Sequence, residues 1–189
     1  MIAGIIQASG FSRRMKRDKL LMEIEGIPLV ERVIKAAIES NLDELILVYR
    51  NEVLRELGKK YGLKTVYNGK AYLGQSESIK LGVKSAHDAD AYMFFVGDQP
   101  YLTTELINYL IEEYKKSNLP ILVPYYDGKQ GMPMIMSSIY KDKLLKVVGD
   151  KGGRDIVREN QDKVKRVNIE SATEGIDIDM PKDLEKIIT

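Results

Sequence analysis

Short apolar runs that alternate with stretches of helical periodicity constrain this chain more than any other feature. Residues 1–7 (MIAGIIQ), 45–49 (LILVY), 64–67 and 91–96 (AYMFFV) read as strands, and a further one lies at 121–124. Between them fall helical patterns. One has Pro28 in its first turn and the apolar face Leu29, Val33, Ala36 and Ala37. Others cover 52–61, closed by Gly62, then 76–87, then 105–116 with Thr103 or Thr104 as cap. Apolar strands joined through helices call for a parallel sheet with helices on both faces. The last third is less regular. Asp127-Gly128 signals a turn from which a strand at 132–136 returns antiparallel. A helix at 138–148, a loop at 149–153, a short helix at 154–159, a strand at 164–169 and a terminal helix at 181–188 follow. With no repeat or linker in view, the expectation is one α/β domain over residues 1–189, built in three α/β/α layers.

Composition narrows the chemistry. Of 189 residues, 44% are hydrophobic and 30% charged, which suits a globular protein and not a disordered one. Lys and Arg number 29 against 28 Asp and Glu. That balance supplies no general attraction to nucleic acid or an anionic membrane, so any electrostatic site must be local. Without cysteine there can be no disulfide, thiolate metal site, Fe–S cluster or thiol nucleophile. His87 is the single histidine, which excludes a multi-histidine metal site. It falls at the end of its predicted helix beside Asp88 and Asp90, where a cation stabilises the helix terminus. No apolar run reaches a membrane span and no leader pattern opens the chain, so a cytoplasmic location is expected. Carboxylates, Lys and Arg, hydroxyls, backbone amides and a hard metal are the remaining tools.

Ligands of open α/β sheets bind beyond the carboxyl ends of the strands. The first such loop runs Ala8-Ser9-Gly10-Phe11-Ser12-Arg13-Arg14-Met15-Lys16-Arg17-Asp18-Lys19. Small residues let backbone amides approach an anion, and five cations among seven residues suit a polyphosphate. The plain alternative is a solvated basic loop. Neither a G-x-x-x-x-G-K-[ST] loop nor a G-x-G-x-x-G fingerprint occurs. Val96-Gly97-Asp98-Gln99-Pro100 follows the most apolar strand, so Asp98 is placed to hold Mg²⁺ over phosphates or simply to open a turn. Asn68-Gly69 and Gly74-Gln75-Ser76-Glu77-Ser78 lead into a helix, with ligand contact and N-capping by Ser76 both open. Gly149-Asp150-Lys151-Gly152-Gly153-Arg154 is a fourth candidate, for a second anion or an ordinary turn. Asp177 and Asp179 alternate with Ile176 and Ile178, which puts both carboxylates on one face of an extended segment as candidate metal ligands.

These residues resemble the L-A-A-G-x-S-x-R-M-G-x-x-K signature of nucleotidyltransferases with the nucleotide-diphospho-sugar-transferase fold. The match falls on Gln7, Ala8, Ser9, Gly10, Ser12, Arg14, Met15, Lys16 and Lys19, with Gln7, Ser9 and Lys16 replacing Leu, Ala and Gly. Asn68, Gly74, Ser76, Ser78 and Gly82 look like the N…G-x-S-x-S-x-x-x-G segment of the molybdenum cofactor cytidylyltransferase branch, and Gly97-Asp98-Gln99-Pro100 like its G-D-x-P motif. Gly131-Met132-Pro133, the stretch 149–154 and the segment 177–184 resemble its later motifs.

The resemblance implies a mixed, mainly parallel sheet of about seven strands with one antiparallel member. It also implies Mg²⁺-dependent transfer of CMP from CTP to the phosphate of molybdopterin or the molybdenum cofactor, with a molybdoenzyme as recipient. Arg14, Lys19 and Asp98 would be the catalytic residues. Ala8, Ser9, Gly10, Ser12, Asn68 and Ser78 would hold the nucleotide, Lys151 and Arg154 the acceptor, and Asp98 with Asp177 or Asp179 the metal. Transfer from GTP, a sugar-phosphate or phospho-acid acceptor, and a non-catalytic nucleotide-binding chaperone are the alternatives.

Overall fold

The computed structural model describes residues 1–11 and 18–178, apart from the side chain of Lys151. The principal sheet contains β1 (Ile2–Ala8), β4 (Glu44–Tyr49), β5 (Lys64–Tyr67), β6 (Ala91–Val96), β7 (Ile121–Tyr126), β8 (Lys129–Gln130), β9 (Met134–Ser137) and β10 (Val164–Ile169). Its order is β10-β7-β9-β6-β1-β4-β5, with β8 paired to β7 alone. A separate hairpin joins β2 (Glu23–Ile24) and β3 (Ile27–Pro28) through Glu25 and Gly26, both at positive φ; sequence patterning did not anticipate it. The helices are α1 (Leu29–Ile38), α2 (Glu52–Lys60), α3 (Gln75–Ser85), α4 (Thr104–Lys116), α5 (Lys141–Leu144) and α6 (Arg154–Glu159).

The expected three-layer, mainly parallel fold is present. β1 pairs in parallel with β4 and β6, β4 with β5, and β7 with β10. β9 is antiparallel to both β6 and β7, so the seven strands in line contain one antiparallel member. All seven residues of β1 are buried, as a central strand covered on both faces requires. Ile2, Ile6 and Ala8 face one core with Val33 and Ile34 of α1, Leu54 of α2 and Leu106 of α4. Ala3 and Ile5 face the other with Ile79 and Val83 of α3, Leu144 of α5 and Ile156 of α6. On that face α3 lies so close to β1 that a Cβ at Gly82 would sit 2.3 Å from Cγ2 of Ile5.

Several boundaries differ from expectation for local reasons. β7 continues through Pro124 to Tyr126 because the missing N–H falls between two pairing regions. β9 pairs with Ile121 and Leu122, whereas β8 pairs with Tyr125 and Tyr126. β9 starts at Met134 and not at Met132, after Pro133, which has no N–H for the ladder. The expected helix at 138–148 shrinks to a 3-10 turn at Ser138–Tyr140 and the single α-turn of α5. Tyr140 and Leu144 are buried at i and i+4, but the next position on that face, Val148, is 79% exposed, so nothing extends the helix. α3 begins one residue early and ends at Ser85, leaving His87 beyond its terminus. The predicted helix at 181–188 lies outside the described residues.

Candidate active site

Because every strand in line except β9 runs the same way, the loops after β1, β4, β5, β6 and β10 open at one edge of the sheet. There Lys19 Nζ lies 2.5 Å from Asp98 Oδ2, with side chains 19% and 15% exposed. Packing sets this pair. Leu20 is buried, and a Cβ on Gly97 would lie 3.2 Å from Leu20 Cδ2 and 3.3 Å from Val30 Cγ2. Residue 97 must therefore stay small for Leu20 to seat. Seating Leu20 beside Gly97 brings the preceding lysine against the following aspartate, 79 positions apart in the chain.

The polar residues Ser9, Asn68 and Ser78, from the loops after β1 and β5 and from α3, are all buried. Ser9 Oγ lies 2.5 Å from Ser78 Oγ, and Asn68 Nδ2 donates to Ser9 Oγ at 2.9 Å and to Ser78 Oγ at 3.3 Å. Asn68 Oδ1 accepts from Lys70 N at 3.1 Å. The three side chains satisfy one another and hold these loops in fixed relation. Ala8 is fully buried at the end of β1, whereas Gly10 is exposed.

The carboxylate side is stitched to the chain after β10. Ile178 N donates to Asp98 O at 3.0 Å, and Gln99 Nε2 to Gly175 O at 3.4 Å. These bonds place exposed Asp177 one residue from the backbone contact with Asp98. Burial, together with the charges of Glu174 and Asp177, pushes the neighbouring Tyr126 phenol far above its ordinary range. Its hydroxyl donates to Met132 O at 2.8 Å.

The stretch 149–154 meets the start of α3, as the separate sequence clusters do not reveal. Gly74 occupies the N-cap at φ 107, and Asp150 Oδ1 accepts from Gln75 N at 3.1 Å. Asp150 thus supplies the carboxylate that the glycine cap lacks, and Ser76 does not cap. Arg154 opens α6 and is exposed. Arg14, Ser12, Asp179 and the Lys151 side chain lie outside the description.

Arg50 and Asn51 were not singled out from sequence, although they follow the second predicted strand on the same edge. Arg50 Nη2 lies 2.5 Å from Asp18 Oδ2, Arg50 Nε donates to Gly10 O at 3.0 Å, and Asn51 Nδ2 donates to Asp18 Oδ2 at 2.9 Å. The signal was their position after a strand.

This fold and the sequence behind it define a nucleotidyltransferase. The chain belongs to the MobA-like NTP transferase domain family, which matches residues 4–164. It is 27% identical to the purine catabolism protein PucB of Bacillus subtilis, over 98% of this chain and 95% of that protein. A probable molybdenum cofactor guanylyltransferase of Natranaerobius thermophilus is 30% identical over 67% of this chain, which spans 62% of that relative. The fold also matches Rv0371c of Mycobacterium tuberculosis with a TM-score of 0.86 at 21% identity, covering 99% of this chain and 97% of the other. A manganese complex of Rv0371c matches with a TM-score of 0.81 at the same identity, covering 98% and 97%. Relatives are named as cytidylyltransferases as well as guanylyltransferases.

Proposed function

We propose that this chain transfers CMP from CTP to the terminal phosphate of molybdopterin or its molybdenum-loaded form and releases pyrophosphate. The observation that carries the proposal is the Lys19–Asp98 pair at the carboxyl edge of the sheet, in which Lys19 ends the cationic first loop in sequence. The pair brings together the cation and the carboxylate that such a reaction uses. The ammonium occupies the place of a cation beside Asp98, and the carboxylate that of an anion beside Lys19.

In the reaction, an oxygen of the acceptor phosphate attacks the α-phosphorus in line. A new phosphoanhydride bond forms while the bond to the bridging oxygen of pyrophosphate breaks. No protein nucleophile is needed, so a chain without cysteine and with one histidine suffices. Lys19 and Arg14 neutralise the β- and γ-phosphates and the charge of the leaving pyrophosphate. Ala8, Gly10 and Ser12 offer amides and a hydroxyl to the nucleotide, against the wall that Ser9, Asn68 and Ser78 hold in place. Lys151 and Arg154 meet the acceptor.

The donor set suits Mg²⁺. Mg²⁺ asks for only one or two carboxylates beside phosphate oxygens, and Asp98 supplies one at the carboxyl edge of the sheet. Asp98 would hold it, with Asp177 or Asp179 as second ligand. When bound, the ion polarises the phosphate oxygens and offsets their negative charge.

The test is pyrophosphate release from CTP, GTP, ATP and UTP, each with and without Mg²⁺ and with molybdopterin as acceptor. CTP is expected to give the fastest release, abolished by Asp98→Asn; near-wild-type turnover by that variant would remove Asp98 from the mechanism. The guanylyltransferase names among the relatives favour a second reading, with GTP as donor. Faster release from GTP would establish it.

A further inference from the structure

The cationic loop has two ends, and one side chain reaches both. Arg50, the first residue after β4, donates from Nε to Gly10 O at 3.0 Å and from Nη2 to Asp18 Oδ2 at 2.5 Å, bridging positions eight residues apart in the chain. Its guanidinium carbon also lies 5.3 Å from the centroid of the Phe11 ring. The partners are themselves fixed. Asn51 Nδ2 donates to the same Asp18 oxygen at 2.9 Å, while Asn51 Oδ1 accepts from Leu54 N and so caps α2. The other carboxylate oxygen of Asp18 accepts from Leu20 N at 3.3 Å. Arg50 and Asp18 are 19% and 16% exposed.

Arg50 adds a cation at the two ends of a segment whose sequence carries Arg13, Arg14, Lys16 and Arg17, which is unfavourable unless its charge is committed elsewhere. Here it is committed: Asp18, the one carboxylate between Gly10 and Lys19, receives it. We infer that Arg50 is a positioning residue that ties the two ends of the cationic loop together and thereby sets the affinity for the nucleotide polyphosphate. The planar fork is what makes the tie, because one donor takes the carbonyl while another takes the carboxylate. Holding the ends beforehand lowers the ordering cost that ligand binding must otherwise meet. The nucleotide part of this inference rests on the proposed function; the tie itself does not.

Arg50→Met and Arg50→Lys in the full chain test it, with two readouts. Trypsin cleavage after Arg13, Arg14, Lys16 or Arg17 reports the loop without any nucleotide. It is expected to accelerate roughly tenfold in both variants, because an ammonium cannot reproduce the fork. The KM for CTP with Mg²⁺ is expected to rise roughly tenfold while kcat stays within about twofold, the signature of lost preorganisation in place of lost chemistry. If Arg50→Met does not fold, Asp18→Asn removes the charge at the other end and should shift both readouts the same way. Cleavage at the wild-type rate overturns the tie. Weaker nucleotide binding with unchanged cleavage overturns it as well, by assigning Arg50 to direct phosphate contact. A wild-type chain that binds no nucleotide defeats the proposed function, while the cleavage rates still decide the tie.

Discussion

Gly82→Ala puts the link between fold and site under direct strain. A methyl group there would lie 2.3 Å from Ile5 Cγ2, 3.1 Å from Ile5 Cδ1 and 3.2 Å from Ile5 Cγ1, all within one fully buried side chain of β1. Alanine inside a helix gains about 1 kcal/mol over glycine through propensity. Overpacking a dense core costs about 1–3 kcal/mol, and a contact of 2.3 Å belongs at the upper end of that range. The net expectation is a loss of about 1–2 kcal/mol. At roughly 2–4 °C per kcal/mol for a chain of this size, Tm should fall by about 2–8 °C. Ile5→Val keeps a γ-methyl branch and should not relieve the clash. Ile5→Leu removes the branch at Cβ and should recover part of the loss, appearing in a double-mutant cycle as a coupling of about 1 kcal/mol. The strain should also reach the site, because α3 carries Ser78 to Ser9 and Asn68. Thermal unfolding of the four proteins provides the measurement. A Tm for Gly82→Ala at or above wild type would refute the close-packing argument, and equal effects of Ile5→Leu in both backgrounds would refute its assignment to Ile5.

Other consequences are equally concrete. On the proposed role of Lys19, Lys19→Ala should lower kcat/KM for the nucleotide by about 10²–10³; unchanged pyrophosphate release would remove Lys19 from the proposed mechanism. Gln7 is buried with neither Oε1 nor Nε2 partnered among the described residues, so Gln7→Leu should raise stability by about 1–3 kcal/mol, seen as a Tm several degrees higher. A lower Tm would show that the carboxamide is satisfied in solution. Hydrogen bonds from Tyr61 and Lys60 hold the Glu31 carboxyl below its usual 4.5. Its folded-state value being depressed, its contribution to stability is present above pH about 4.5 and is lost as pH falls through the lower folded value. Wild type should therefore exceed Glu31→Gln in Tm at pH 7 and converge with it in acid; a gap independent of pH would exclude the charge as its source.

Local pattern and tertiary placement contributed differently. Most of the order of strands and helices, though not the β2–β3 hairpin or β8, the burial of β1, a threonine cap at 103 or 104 (Thr103 in the structure), the stop of α2 at Gly62 and the Asp127-Gly128 turn were legible in the sequence. Periodicity of side chains and the φ demands of turn residues act over a few positions and leave their mark there. The helix expected at 138–148 failed because its continuation required a buried face that the fold does not offer Val148. Insertion of β9 between β6 and β7, capping of α3 by Asp150, the Lys19–Asp98 contact and the reach of Arg50 to both Gly10 and Asp18 emerged only from the assembled sheet. Each joins residues at least thirteen positions apart. Their meeting depends on strand order and on how closely α3 and Leu20 pack, quantities that no local stretch of the chain encodes.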